Sequence, residues 1–202
     1  MPIKKIKKGY RKTRYILYKE TLIDFKEHFW AFVGSFIGIG SIAYFNSHNF
    51  AGSDAVFLIG SFGASSVLIY GIIQSPFSQP KNLVGGHLLS AIVGVTVQLL
   101  LPDIIWLTSA LAVSLSIILM QITRTLHPPG GATALIAVIS SDKIKDLGYW
   151  YVLSPILTGV LILLFVALIV NNLTENRSYP SNNKYHKKYH TFRKRITKKL
   201  QA

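Results

Sequence analysis

The stretch Arg124-Thr125-Leu126-His127-Pro128-Pro129-Gly130-Gly131-Ala132-Thr133-Ala134-Leu135 holds the residues best suited to handling a charged solute. Two prolines cannot sit inside a continuous helix, but proline suits a first helical turn. The spacing predicts a helix that begins at or just after Pro128, with unpaired N–H groups at its N-terminus. Gly130 and Gly131 remove side chains where backbone must come close to a neighbour. Free N–H groups and the helix dipole both favour a negative charge there. Arg124 and His127, immediately upstream, add positive charge or donors. The competing reading is a proline–glycine kink that lets two helices pack, with Arg124 reaching to an interface. On spacing alone the two readings stand level.

Two other places carry usable groups. Gly60-Ser61-Phe62-Gly63-Ala64-Ser65-Ser66 reads as a matching break in the first half, where Gly63, Ala64 and Ser65 either line a path or pack. His87 follows Gly85-Gly86 near the start of an apolar helix, and an ionisable residue inside a membrane is a functional candidate by default. Its bland alternative is a histidine hydrogen-bonded to a neighbour. His48 falls in an expected loop and His186 and His190 in the C-terminal tail, where they would be solvated. His87 and His127 are far apart in sequence and lack companion carboxylates, so no metal site is read. No cofactor site and no nucleophile–base pair emerge either, which argues against an enzyme. Asp54, Asp103, Asp142 and Asp146 all fall at loop positions. The lack of a mid-membrane carboxylate disfavours a proton- or sodium-coupled pump and favours an anion path.

The elements that must position these residues are apolar. Half of the chain is apolar and 15% is charged, against roughly a quarter charged in a soluble domain. Of 22 Lys and Arg residues, only Lys81, Arg124, Lys143 and Lys145 lie between His28 and Asn171; the other 18 sit before Glu27 or after Leu173. Such a block presents its surface to lipid. Its hydrophobic segments are about Phe29 to Phe45, Ala55 to Ile73, Leu83 to Leu101, Ile104 to Ile122, Gly130 to Ser140 and Trp150 to Val170. The fifth is too short to cross unaided, since crossing takes about 20 residues. Residues 1–27 and 174–202 are basic tails flanking a transmembrane domain over 28–173. Two basic tails predict an even number of crossings with both termini cytoplasmic.

The net charge of +14 fits tails lying on anionic lipid headgroups better than arms for nucleic acid, because the apolar block already places them at a membrane. Cysteine is absent, which removes disulfides and thiolate ligands. The first 27 residues contain no apolar stretch of the signal-peptide kind. Gly34 and Gly38, and the ladder Gly86, Ser90 and Gly94, have the spacing of close helix contacts. A shift of 68 residues places Gly63-Ala64-Ser65 on Gly131-Ala132-Thr133, and Val84 through Ser90 on Val152 through Thr158. A three-segment repeat of this kind would be inverted, as in many transporters.

The His-Pro-Pro stretch, preceded in order by Gly60-Ser61-Phe62-Gly63-Ala64-Ser65, Gln79-Pro80-Lys81-Asn82 and Gly85-Gly86-His87, resembles the HPP family of integral membrane proteins. The family is named for its His-Pro-Pro triplet, here His127-Pro128-Pro129. The resemblance runs from about Gly34 to Pro180 and includes Asn171-Asn172-Leu173. It implies nitrite transport, as in plastids and cyanobacterium-like cells. Some members carry C-terminal CBS domains; none is expected within the 202 residues of this sequence. The sequence thus predicts an all-α membrane protein of about six hydrophobic helices, with short or broken second and fifth segments. It would sit as a multi-pass protein of the cell membrane and pass a small anion such as nitrite, as a transporter or channel. A homo-oligomer is compatible with this reading. The residues expected to meet the anion are Gly63, Ala64, Ser65, His87, Arg124, His127, Gly130, Gly131 and Thr133. The rival is a sensor or interaction module that transports nothing.

Overall fold

The computed structural model describes residues 25–49, 54–174 and 177–181. Regular structure among them is helical: α1 (Phe25–Asn49), α2 (Asp54–Ser66), α3 (Pro80–Leu100), α4 (Ile105–Ile122), α5 (Pro128–Ile139) and α6 (Thr158–Val170), with shorter turns between. The expected headgroup contacts of the basic tails, and His186 and His190, fall outside the described residues.

Large apolar side chains such as Phe32, Phe36, Ile105, Trp106, Ile122, Trp150 and Phe165 stand exposed on the surface. Water would penalise that surface, whereas hydrocarbon matches it. Pro80–Leu100, Ile105–Ile122 and Val152–Val170 are each long and apolar enough to cross a bilayer. The chain is an all-α membrane protein, as its sequence predicts. The expected short second and fifth segments are present: α2 has 13 residues and α5 has 12. At ~1.5 Å per residue, α5 reaches about 18 Å into a hydrocarbon layer about 30 Å thick. Its ends must therefore be satisfied by protein rather than water.

Three local expectations change. The first helix does not stop at Asn46-Ser47-His48-Asn49 but continues through it, so His48 lies on its last turn and not in a loop. Gly60 to Ser66 is not a break, because it forms part of the continuous helix α2. The departure comes later, as a π-helical turn at Val67–Gly71. That turn carries Tyr70, whose ring lies against Gly34 and Gly38 and whose hydroxyl donates to Leu163 O at 3.0 Å. The glycine pair thus makes room for an aromatic ring and not for a second backbone.

Helix α3 is the central element, packed on α4, α5 and α6. Proline at its first turn follows an extended Gln79, the arrangement that starts a helix without wasting a donor. Its ladder Gly86, Ser90 and Gly94 faces α5. A β-carbon at Gly94 would stand 2.6 Å from Ala134 O and 2.8 Å from Ala137 Cβ, and one at Gly86 would stand 2.5 Å from His127 Cβ. Close backbone approach is what draws these two helices together.

Helix α4 ends in a Schellman closure, with Thr125 N donating to Met120 O at 2.8 Å and Arg124 N to Gln121 O at 3.1 Å. Arg124 occupies the left-handed position with φ 55°, where a non-glycine residue costs roughly 1 kcal/mol. Glycine is the residue this geometry prefers. Arg124→Gly should therefore keep or slightly raise thermal stability in detergent; a large fall in Tm would contradict this reading of the turn.

Contacts with the bundle continue past Leu173. Arg177 is buried, with Nη2 on Tyr70 O and on Asn171 Oδ1 (2.9 Å), and Nη1 on Glu27 O (3.1 Å) and Glu27 Oε2 (3.3 Å). Burial lowers the pKa of Arg177 and the neighbouring Glu27 opposes that shift. Tyr179 donates its hydroxyl to Ser78 O at 2.6 Å, and Asn82 Nδ2 donates to Leu126 O at 2.8 Å. These bonds gather the start of α1, the end of α6, the first turn of α3 with Lys81 and the turn holding Arg124 at one end of the bundle. Asp103 and Lys145 pair at 3.2 Å on the exits of other helices.

Candidate functional site

Four of the expected residues meet in the interior. Ser65 Oγ lies 2.7 Å from His87 Nε2 and 2.9 Å from His127 Nε2, and His87 Nδ1 lies 2.7 Å from Thr133 Oγ1. All four side chains are fully buried. Helix α2 supplies Ser65, α3 supplies His87, the turn before α5 supplies His127, and α5 itself supplies Thr133. Ser65 and His127, 62 positions apart in the chain, thus meet directly. The rings of the two histidines are 5.0 Å apart, and Phe62 closes over His87 at 5.6 Å.

The proton positions follow from one carbonyl. His127 Nδ1 lies 2.8 Å from Phe77 O, which can only accept, so Nδ1 carries hydrogen. In a neutral imidazole Nε2 is then an acceptor, and Ser65 donates to it. Ser65 has one hydrogen, so His87 Nε2 must donate to Ser65, leaving His87 Nδ1 to accept from Thr133. The hydrogens run one way, from Thr133 through His87, Ser65 and His127 to Phe77 O. Each nitrogen is satisfied, which the low dielectric of this site demands.

The local sequence explains why His127 is held so firmly. The Schellman turn fixes Thr125, the Asn82 amide holds Leu126 O, and His127 takes an extended conformation as the residue before Pro128. Gly130 must be glycine-sized, because a β-carbon there would stand 2.8 Å from Ser90 Oγ and 3.0 Å from Gly86 O. Tyr151 donates its hydroxyl to Thr133 O at 3.0 Å and braces the other end.

The remaining expected residues are placed elsewhere. Gly63 has open space around its β position, Ala64 is exposed, and Gly131 meets only Val113 at 3.7 Å. Arg124 is exposed on its turn. The free N–H groups expected at the start of α5 are not there. Pro128 and Pro129 carry none, and Gly130 N donates to His127 O at 2.8 Å. The prolines that announce the helix start also remove the donors an anion would use. Sequence reading missed Phe77, Asn82, Thr125 and Tyr151; Asn82 stood inside the family-like Gln79-Pro80-Lys81-Asn82, but its bond to a backbone carbonyl has no sequence signature. A polar cavity of about 250 Å³ away from this cluster is lined by Gln98, Thr108, Asp103, Asp142, Asp146 and Lys145. Its three carboxylates to one lysine make it a poor resting place for an anion.

The transmembrane-region profile of the HPP proteins matches residues 20–180, which contain the whole buried cluster. The chain belongs to the HPP family. Two curated relatives, both described only as transmembrane proteins of Dictyostelium discoideum, are 46% and 44% identical over 160 residues. Those alignments cover 78% of this chain but 56% and 51% of the relatives, so the chain spans about half the length of the curated relatives it matches. No solved structure matches this HPP chain.

Proposed function

We propose that this HPP protein moves a small monovalent anion, nitrite or a species like it, across the membrane around Ser65, His87, His127 and Thr133. One observation carries the reading: two imidazoles, one from α3 and one from the turn before α5, share one hydroxyl inside a lipid-facing bundle. Helix packing alone would fill that place more cheaply with apolar side chains. The cluster offers O–H and N–H donors and no carboxylate, which suits an anion. An anion arriving there takes donors that now satisfy one another. The four side chains are sealed from solvent, so passage requires a second conformation, as in alternating access.

Inverted three-segment halves supply such a motion. The helix pairings support them: α1 packs on α2 as α4 packs on α5, and α1 on α6 as α3 on α4. Ser65 and Thr133, equated by the 68-residue shift, take the two nitrogens of the same His87 ring.

The transport reading is tested by loading purified protein into liposomes and following uptake of nitrite, nitrate, formate and chloride. Uptake above that of protein-free liposomes is expected for nitrite. A membrane that stays tight to all four favours the non-transporting module.

Orientation follows from the tail cations, which place both termini in the cytoplasm. Thr13→Cys and Ser181→Cys, in a chain without native cysteine, should each resist an impermeant thiol reagent added outside intact cells. Labelling of both from outside would reverse the topology.

A further inference from the structure

We propose that the His87–Ser65–His127 cluster takes up one proton together with the transported anion, so that the two cross as a neutral pair. This rests on the anion reading above. The same heavy atoms accept two arrangements of hydrogen. In the neutral one, Ser65 donates to His127 Nε2 at 2.9 Å and accepts from His87 Nε2 at 2.7 Å. Ser61 O, on the preceding turn of α2, lies 3.1 Å from the same hydroxyl. If Ser65 turns its hydrogen to Ser61 O, the His127 Nε2 lone pair is freed and takes a proton from water or from the conjugate acid of the anion. Protonated His127 then donates Nε2–H to Ser65 and Nδ1–H to Phe77 O, still 2.8 Å away. Ser65 accepts from both rings with its two lone pairs and donates its single hydrogen. One hydroxyl rotation thus accommodates an added proton without displacing a helix.

Among the described residues no carboxylate is bonded to that imidazolium. No acidic residue occurs between Asp54 and Asp103 or between Asp103 and Asp142. Against the pair stand Phe62 and Ser65 from α2 and Thr133 from α5, with Ser61 O on the Ser65 hydroxyl and the Tyr151 phenol bonded to Thr133 O. Arg124, on the preceding turn, is exposed. A lone charge in such a site is strongly disfavoured, and a monovalent anion is the partner that removes the penalty. By linkage the anion raises the affinity for the proton by the same factor as the proton raises the affinity for the anion. The imidazole pair does here what a membrane carboxylate does elsewhere, so the lack of intramembrane carboxylates does not argue against proton coupling.

The test uses liposomes holding the full chain, a trapped pH dye, and nitrite added outside, with protein-free liposomes subtracted. Wild type is expected to take up about one proton per nitrite, at a rate unaffected by a potassium–valinomycin potential. Ser65→Ala removes the shared acceptor and should slow that coupled uptake about tenfold or more. Nitrite uptake that is electrogenic and brings no protons overturns the proposal while leaving the transport reading intact. Absence of nitrite uptake removes both. Coupled uptake at the wild-type rate in Ser65→Ala overturns the assignment to this cluster. The wild-type stoichiometry stands alone should Ser65→Ala fail to fold.

Discussion

His127→Asn should reduce nitrite flux by about a hundredfold while leaving the protein folded in the membrane. The asparagine amide nitrogen stands where imidazole Nδ1 stands, so it can keep the bond to Phe77 O. It has nothing to offer Ser65, which loses its partner at 2.9 Å. A hundredfold loss corresponds to ~2.7 kcal/mol, at about 1.36 kcal/mol per tenfold. The substitution thereby separates the two tasks of the residue, anchoring the turn and serving the buried cluster. Flux of His127→Asn within twofold of wild type, at equal protein per liposome, would make His127 a packing residue. Arg124→Gly offers the reverse separation. It removes an exposed cation and relieves a left-handed backbone, so any loss of flux reports the charge alone. The helix terminus it was expected to assist has no free donors, and a loss well below that of His127→Asn is expected.

Gly94→Ala should prevent α3 and α5 from seating, with most of the protein lost from the folded fraction on size exclusion in detergent. The new methyl would meet Ala134 O at 2.6 Å, Ala137 Cβ at 2.8 Å and Ala134 Cα at 2.9 Å. Two of those atoms are backbone and cannot swing aside. Overpacking of this kind costs about 1–3 kcal/mol where side chains can yield, and more is expected where the helices themselves must part. The lengthened gap would also separate His87 from Thr133, now 2.7 Å apart. Gly63→Ala is the matched comparison, because nothing lies within 4 Å of its β position. Recovery of folded Gly94→Ala equal to that of Gly63→Ala would show that the α3–α5 contact is looser than described.

Bulk properties were legible in the sequence because they are sums. The apolar runs, the break at His127-Pro128-Pro129 and the short fifth helix follow from hydropathy and from proline's missing donor. The identities of Ser65, His87, His127 and Thr133 were legible as polar groups where lipid forbids them. Their meeting was not, since it depends on how α2, α3 and α5 cross, and apolar periodicity is silent when every face is apolar. Gly63 and Ala64 shared a motif with Ser65 but not its face, because neighbours on a helix point about 100° apart. The clamp by Arg177 lay hidden, because nothing in a basic stretch of sequence singles out the cation that becomes buried.

Histidine-selective nitrogen NMR of the protein in lipid nanodiscs, with nitrite added up to the concentration that saturates flux, reads the proposed site directly. His87 and His127 are assigned by their absence in His87→Gln and His127→Asn. Without nitrite, His127 should appear as the neutral tautomer with hydrogen on Nδ1. On titration, the ring nitrogens of both residues should shift together, while those of the tail histidines His186 and His190 stay in place. Saturable nitrite flux with unmoved His87 and His127 signals would contradict the account, because the anion would then be crossing somewhere else.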